Sequence, residues 1–93
     1  VKFKICGDAV NTSYKGFINC YYEELVKAFG KPSKGSDKST CEWVITFEDG
    51  TICTIYDWKT VSTPMLMYGW HIGGRTIRSV SLVLEALEES KLL

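Results

Sequence analysis

The stretch "EWVITFEDGTICTIYDWK", residues 42–59, decides the fold. Trp43, Ile45 and Phe47 alternate with Val44 and Thr46, which is the period of a β-strand. Asp49-Gly50 follows, a pair that tolerates positive φ and signals a hairpin. A two-residue turn there predicts Phe47 opposite Ile52, Ile45 opposite Thr54 and Trp43 opposite Tyr56. That register gathers Trp43, Ile45, Phe47 and Ile52 on one face and Val44, Cys53 and Ile55 on the other. Both faces are then apolar, so the hairpin is expected to be central in its sheet. It ends on a polar and aromatic cluster, Tyr56-Asp57-Trp58-Lys59. Core packing alone does not call for an acid, an indole and an amine at a strand end.

Upstream, Val1, Phe3 and Ile5 alternate with Lys2 and Lys4, which reads as a short strand, and "GFINC" at 16–20 reads as another. "GDAVNTSYKG" between them is turn-rich. "YYEELVKAFGKP", 21–32, is the clearest helix. Tyr22, Leu25, Val26 and Phe29 form its apolar stripe, Glu23 and Glu24 sit in the first turn, and Gly30 with Pro32 ends it. "SKGSDKST", 33–40, is a polar loop.

Downstream, residues 60–68 form a loop broken by Pro64 that carries Met65, Leu66 and Met67. Residues 68–72 are expected to be a last short strand, Gly73-Gly74 a tight turn, and Thr76 to about Ser90 the second helix. Ile77, Val80, Val83, Leu84 and Leu87 define its expected buried stripe, leaving Leu82 on the outer face. The sum is a single α+β domain over 1–93: an antiparallel sheet of about four or five strands carrying two helices, about 21–29 and 76–90.

Composition narrows the function. Eleven basic residues balance 11 acidic ones, with no basic face of the kind a nucleic-acid polymer binder needs. No apolar run approaches the ~20 residues of a membrane span. The first residues lack a signal-peptide pattern, so a cytosolic setting is expected. Cys6, Cys20, Cys41 and Cys53 fit no zinc spacing and are read as reduced thiols. No metal ligand set, cofactor motif or nucleophile context stands out, and one histidine does not make an acid–base pair. A non-enzymatic role is expected.

A second unusual stretch is "GWHIGGR", 69–75, which holds the only histidine, His71. If it runs beside the hairpin, the two segments converge on one site. Trp58 and Trp70 would then offer flat faces for a base. Lys59 and Arg75 would supply positive charge, and His71 a titratable donor. Gly73-Gly74, leading into a helix N-terminus, would favour a phosphate. With Tyr56 and Asp57 these make the candidate ligand site. Each residue also has a structural reading: the tryptophans as core, Asp57 with Lys59 as a surface ion pair, the glycines as a plain turn.

"YEELVKAFGKP", "FEDGT", "TIYDWK" and "WHIGG" together resemble a family of small proteins encoded by bacteriophages and other large viruses. The similarity runs from about Asn11 to Val80. Tyr21 departs from the Thr or Ser expected as helix cap, and Cys53 from a usual Ala. The resemblance implies a protein of the host cytoplasm that acts on host defence. One expectation is a homo-oligomer that sequesters a phosphate-bearing nucleotide signal. The alternative is an inhibitor that grips a host protein through the 64–70 loop and exposed aromatics. Met65, Leu66, Met67 and Leu82 are the expected partner surface.

Overall fold

The hairpin forms with a register one residue away from the expected one. In the computed structural model, which describes residues 1–92, strand β4 (Cys41–Phe47) pairs antiparallel with β5 (Ile52–Tyr56). Trp43 faces Ile55, Ile45 faces Cys53 and Glu42 faces Tyr56. The turn holds three residues, not two. The Phe47 N–H donates to the Thr51 carbonyl at 2.8 Å, and the Gly50 N–H donates back to the Phe47 carbonyl at 2.9 Å. Gly50 takes φ 90°, the left-handed residue that closes a three-residue hairpin loop. The Asp49 carboxylate stabilises this form by accepting the Thr51 N–H at 2.9 Å.

One residue of slip exchanges the faces of the second strand. Cys53 and Ile55 join Trp43, Ile45 and Phe47 in the core. Ile52, Thr54 and Tyr56 turn to the opposite face with Val44 and Thr46.

Four more strands complete an antiparallel sheet of six: β1 (Phe3–Lys4), β2 (Ser13–Cys20), β3 (Ser33–Lys34) and β6 (Tyr68–Gly74). The order is β1-β4-β5-β6-β2, with β3 also pairing with β4. The hairpin is therefore internal, as its two apolar faces imply. Residues 73 and 74 are the last residues of β6 and do not form the expected turn.

Helices α1 (Tyr22–Phe29) and α2 (Arg78–Ser90) are both part of one core with the sheet. Tyr21 contributes no side-chain cap, but the Glu24 carboxylate accepts its N–H at 2.8 Å, which supplies half of a capping box. Leu25 and Phe29 are buried, as the apolar stripe predicts.

The stripe of α2 is rotated from the expected one. Ser79, Leu82, Val83, Ala86, Leu87 and Ser90 face inward, while Ile77 and Leu84 are 70% and 46% exposed. Small residues set this choice: a Cβ at Gly74 would run into the Ser79 side chain, so helix and strand meet at their smallest positions. Leu82 is consequently a core residue and not an outward surface.

The helix-covered face centres on two indoles. Trp43 and Trp70 meet edge-to-face at 5.7 Å and 81°, and Trp43 Nε1 donates to the Gly30 carbonyl at 2.8 Å. All four cysteines are free thiols, three of them buried. Among the described residues no helix is long and apolar enough to cross a membrane.

Candidate functional site

The face without helices carries the exposed rings of Tyr14, Phe17 and Trp58. Strand register sets Glu42, Tyr56, His71 and Phe17 side by side across β4, β5, β6 and β2. Direct cross-strand neighbours lie within side-chain contact. His71 sits among rings: Tyr14 at 5.0 Å, Tyr56 at 5.4 Å, and Trp58 stacked at 6.3 Å and 25°. Tyr14, Phe17 and Trp58 are 53%, 55% and 41% exposed, so these rings border solvent. The Lys38 ammonium lies 5.6 Å from the Trp58 ring centroid, a cation–π position.

The setting shifts the titrating groups of this row. Burial lowers the His71 pKa, and the Asp57 charge offsets part of that, so the imidazole is neutral at pH 7. Burial raises Tyr56, helped by neighbouring Tyr14 and Glu42. Burial raises Glu42 from its ordinary value.

Beside the rings a groove of about 190 Å³ runs over the sheet. Glu42, Thr54, Tyr56, Trp58 and Gly73 border it on the sheet side. Ser13 at the start of β2, with Thr12, Ser36 and Ser39 on loops, borders the other side. Ser39 is shared with a second hollow of about 420 Å³ that holds Lys38 and Lys59, with Asp37 and Thr60 on its rim. The Lys59 N–H donates to the Lys38 carbonyl at 2.6 Å, which fixes the two lysines on adjoining loops.

Of the residues singled out in the sequence, Tyr56, Trp58 and His71 come together on this face. Trp70 does not. It is 0% exposed, packed against Trp43, Tyr68 and Tyr22, and offers no face to a ligand. Alternation along β6 sends Trp70 and His71 to opposite sides.

Asp57 is buried too, and pairs with no lysine. Its carboxylate accepts the Thr40 N–H at 2.7 Å, the Thr40 hydroxyl at 2.6 Å, the Cys41 N–H at 3.3 Å and the Thr60 hydroxyl. With its one proton engaged there, Thr40 accepts from Thr63 at 2.7 Å. Burial pushes the Asp57 pKa up, but these donors outweigh it and hold the carboxyl below its ordinary value. Asp57 thus clamps the loops on which Trp58 and Lys59 stand.

Arg75 points elsewhere than an anion. Its Nε and Nη2 donate to the Val10 carbonyl at 3.2 and 2.9 Å, fastening the 7–12 loop beside the groove. The expected phosphate turn at Gly73-Gly74 is absent because both lie in β6. The first donors of α2 are also engaged: Ser79 and Val80 N–H groups donate to Thr76 and Ile77 carbonyls at 3.1 Å. Met65, Leu66 and Met67 are 61%, 78% and 56% exposed, on a loop apart from the groove's lining.

Tyr14, Phe17, Lys38 and Glu42 neighbour these rings and the groove and escaped the sequence reading. Glu42 alone carried a signal, as a charged residue opening a strand that is otherwise apolar at both faces. The Tyr68 hydroxyl ties the two motifs by accepting the Trp58 N–H at 3.0 Å. Among the described residues no group of three or more His, Cys, Asp or Glu could hold a metal ion. Comparison of the chain with protein-family models, with curated proteins and with solved structures finds no match.

Proposed function

We propose that this chain is a non-catalytic binding protein that takes a phosphate-bearing nucleotide on the open face of its sheet. One observation carries the reading: an exposed tryptophan, Trp58, borders a hydroxyl-lined groove that adjoins a hollow with two lysines. The groove is smaller than the ~300 Å³ and upward typical of pockets for whole drug-sized ligands, so it suits a ring. The phosphates would lie in the adjoining hollow near Lys38 and Lys59. Burial raises the thiols of Cys20 (to about 11), Cys41 and Cys53, the opposite of an activated nucleophile, which favours binding over catalysis.

In the phage setting that the sequence resemblance implies, the role is to sequester a nucleotide signal of host defence in the host cytoplasm. Calorimetric titration with a panel of linear and cyclic nucleotides tests it. At least one member should bind, and Trp58→Ala should weaken it by about 10-fold or more, the worth of one stacked base. A panel without a binder overturns the reading.

A second reading draws on the 61–67 loop, where Val61, Met65, Leu66 and Met67 are all exposed. Such a surface fits an inhibitor that grips a host protein, and it is also where we place self-association into a homo-oligomer. Leu82 has no part in it. A stoichiometric host partner lost on Leu66→Asp and retained on Trp58→Ala would favour this reading over the first.

A further inference from the structure

Glu42 is the one charged residue that borders the groove, and no hydrogen bond or ion pair among the described residues engages its carboxylate. It is half-buried near the start of β4, on the open face opposite Tyr56. Burial alone acts on its acidity; no hydrogen-bond donor or cation among the described residues offsets it. A partly desolvated carboxylate without donors is unfavourable, and a ligand that brings donors removes the deficit.

The rest of the lining sharpens the match. The groove's hydroxyls, from Thr12, Ser13, Ser36, Ser39 and Thr54, can donate or accept. Some are already engaged: Thr12 donates to the Ala9 carbonyl at 2.6 Å, and Ser39 Oγ accepts the Ser36 N–H at 3.1 Å. An ionised carboxylate only accepts, through two oxygens side by side. Its complement is a pair of adjacent N–H donors. A cationic group could supply that pair, but the Lys38 ammonium already occupies the neighbourhood of Trp58, 5.6 Å from its ring. A neutral flat ring avoids that repulsion and stacks on the indole.

We propose that the groove is a guanine-selective base pocket, in which the Glu42 carboxylate accepts the ring N–H and the exocyclic amino group of the base. Guanine presents these two donors next to each other. Adenine and cytosine present a donor beside an acceptor, and that acceptor would face a carboxylate oxygen. Hypoxanthine keeps the ring N–H and lacks the amino group.

This inference rests on the nucleotide reading above, and the experiment separates the two. Calorimetry at pH 7.5 compares GMP, IMP, AMP and CMP on the wild type and on Glu42→Gln. GMP should bind tightest, IMP about 10-fold more weakly, and AMP and CMP about 100-fold more weakly. Glu42→Gln should weaken GMP by about 30-fold or more and leave AMP within about 3-fold. Its urea midpoint should be equal to or above that of the wild type, because the amide carries no desolvated charge. A raised midpoint with lost GMP affinity is a signature that a purely structural carboxylate does not give. Binding without base preference, or an equal loss for every base in Glu42→Gln, overturns the guanine assignment and leaves the nucleotide reading standing. No binding by any of the four, nor by the wider panel, overturns both.

Discussion

Trp70 and His71 are chain neighbours in the middle of β6, and they belong to different worlds. Trp70 lies under the helices, fully buried among Trp43, Tyr68 and Tyr22, its indole N–H without an acceptor. His71 lies on the open side among Tyr14, Tyr56 and Trp58, rings that reach solvent. The same division separates Asp57 from Trp58. The acid is sealed by threonine hydroxyls and backbone N–H groups, while the indole beside it is 41% exposed. A compact motif of polar and aromatic residues is therefore not one functional unit. Alternate members hold the fold, and the members between them lie on the open face of the sheet.

The largest test of that division sets one tryptophan against the other. Trp70→Ala removes a fully buried ring from the middle of the core and should cost about 3–5 kcal/mol. Against a stability of about 5–15 kcal/mol for domains in general, that is enough to unfold much of the population. Trp58→Ala should cost about 1 kcal/mol or less, since its ring packs no interior, and its effect should appear in nucleotide affinity. Urea titrations with a constant denaturant slope measure both. Comparable losses for the two variants would mean that the open-face rings are a second core.

Asp57 comes next in size. Asp57→Ala strands the Thr40 and Cys41 N–H groups and two hydroxyls, and should cost about 2–3 kcal/mol. The sign of its pH dependence follows from its depressed pKa. The stabilisation is complete above the ordinary carboxylate value of about 3.9 and is lost as pH falls through the lower folded value. Asp57→Asn should therefore flatten the acid limb of a stability–pH curve below about pH 4. An unchanged acid limb would assign that limb to other carboxylates, and Asp57 would not be the clamp.

How much of this could be read from residues alone depends on which element is asked. The first helix was readable, because Leu25 and Phe29 recur at helical spacing and Glu24 and Gly30 mark its ends. The α+β class followed from the order of elements. The hairpin register was not readable, because Asp49-Gly50 serves two-residue and three-residue loops alike. The choice falls to the Asp49 side chain and the φ of Gly50. That single residue of slip moved Tyr56 to the open face and Ile55 to the core. The α2 stripe was hidden for another reason: its inward face is built partly from Ser79, Ala86 and Ser90, which an apolar count overlooks. Lys38 and Lys59 sit on loops whose meeting depends on a backbone bond between them, and no spacing rule foresees it.

The smallest effect concerns His71, and it probes the open face directly. Its imidazole is held below its ordinary value of 6.5 by burial, against a partial offset from the Asp57 charge. The unfolded chain then takes up the proton more readily than the folded one. Stability should decline as pH falls below about 6.5 and stop declining once the folded imidazole itself is protonated. His71→Gln should remove this shallow slope while keeping a polar side chain between Tyr14, Tyr56 and Trp58. Urea midpoints at pH 7.5 and at pH 5 on the two proteins read it out, and Trp70→Phe serves as a control on the other face that should keep the slope. A slope that survives in His71→Gln would assign it to another titrating group and remove His71 as its source. A slope that vanishes in His71→Gln and persists in Trp70→Phe would tie the pH sensitivity to the face proposed to bind.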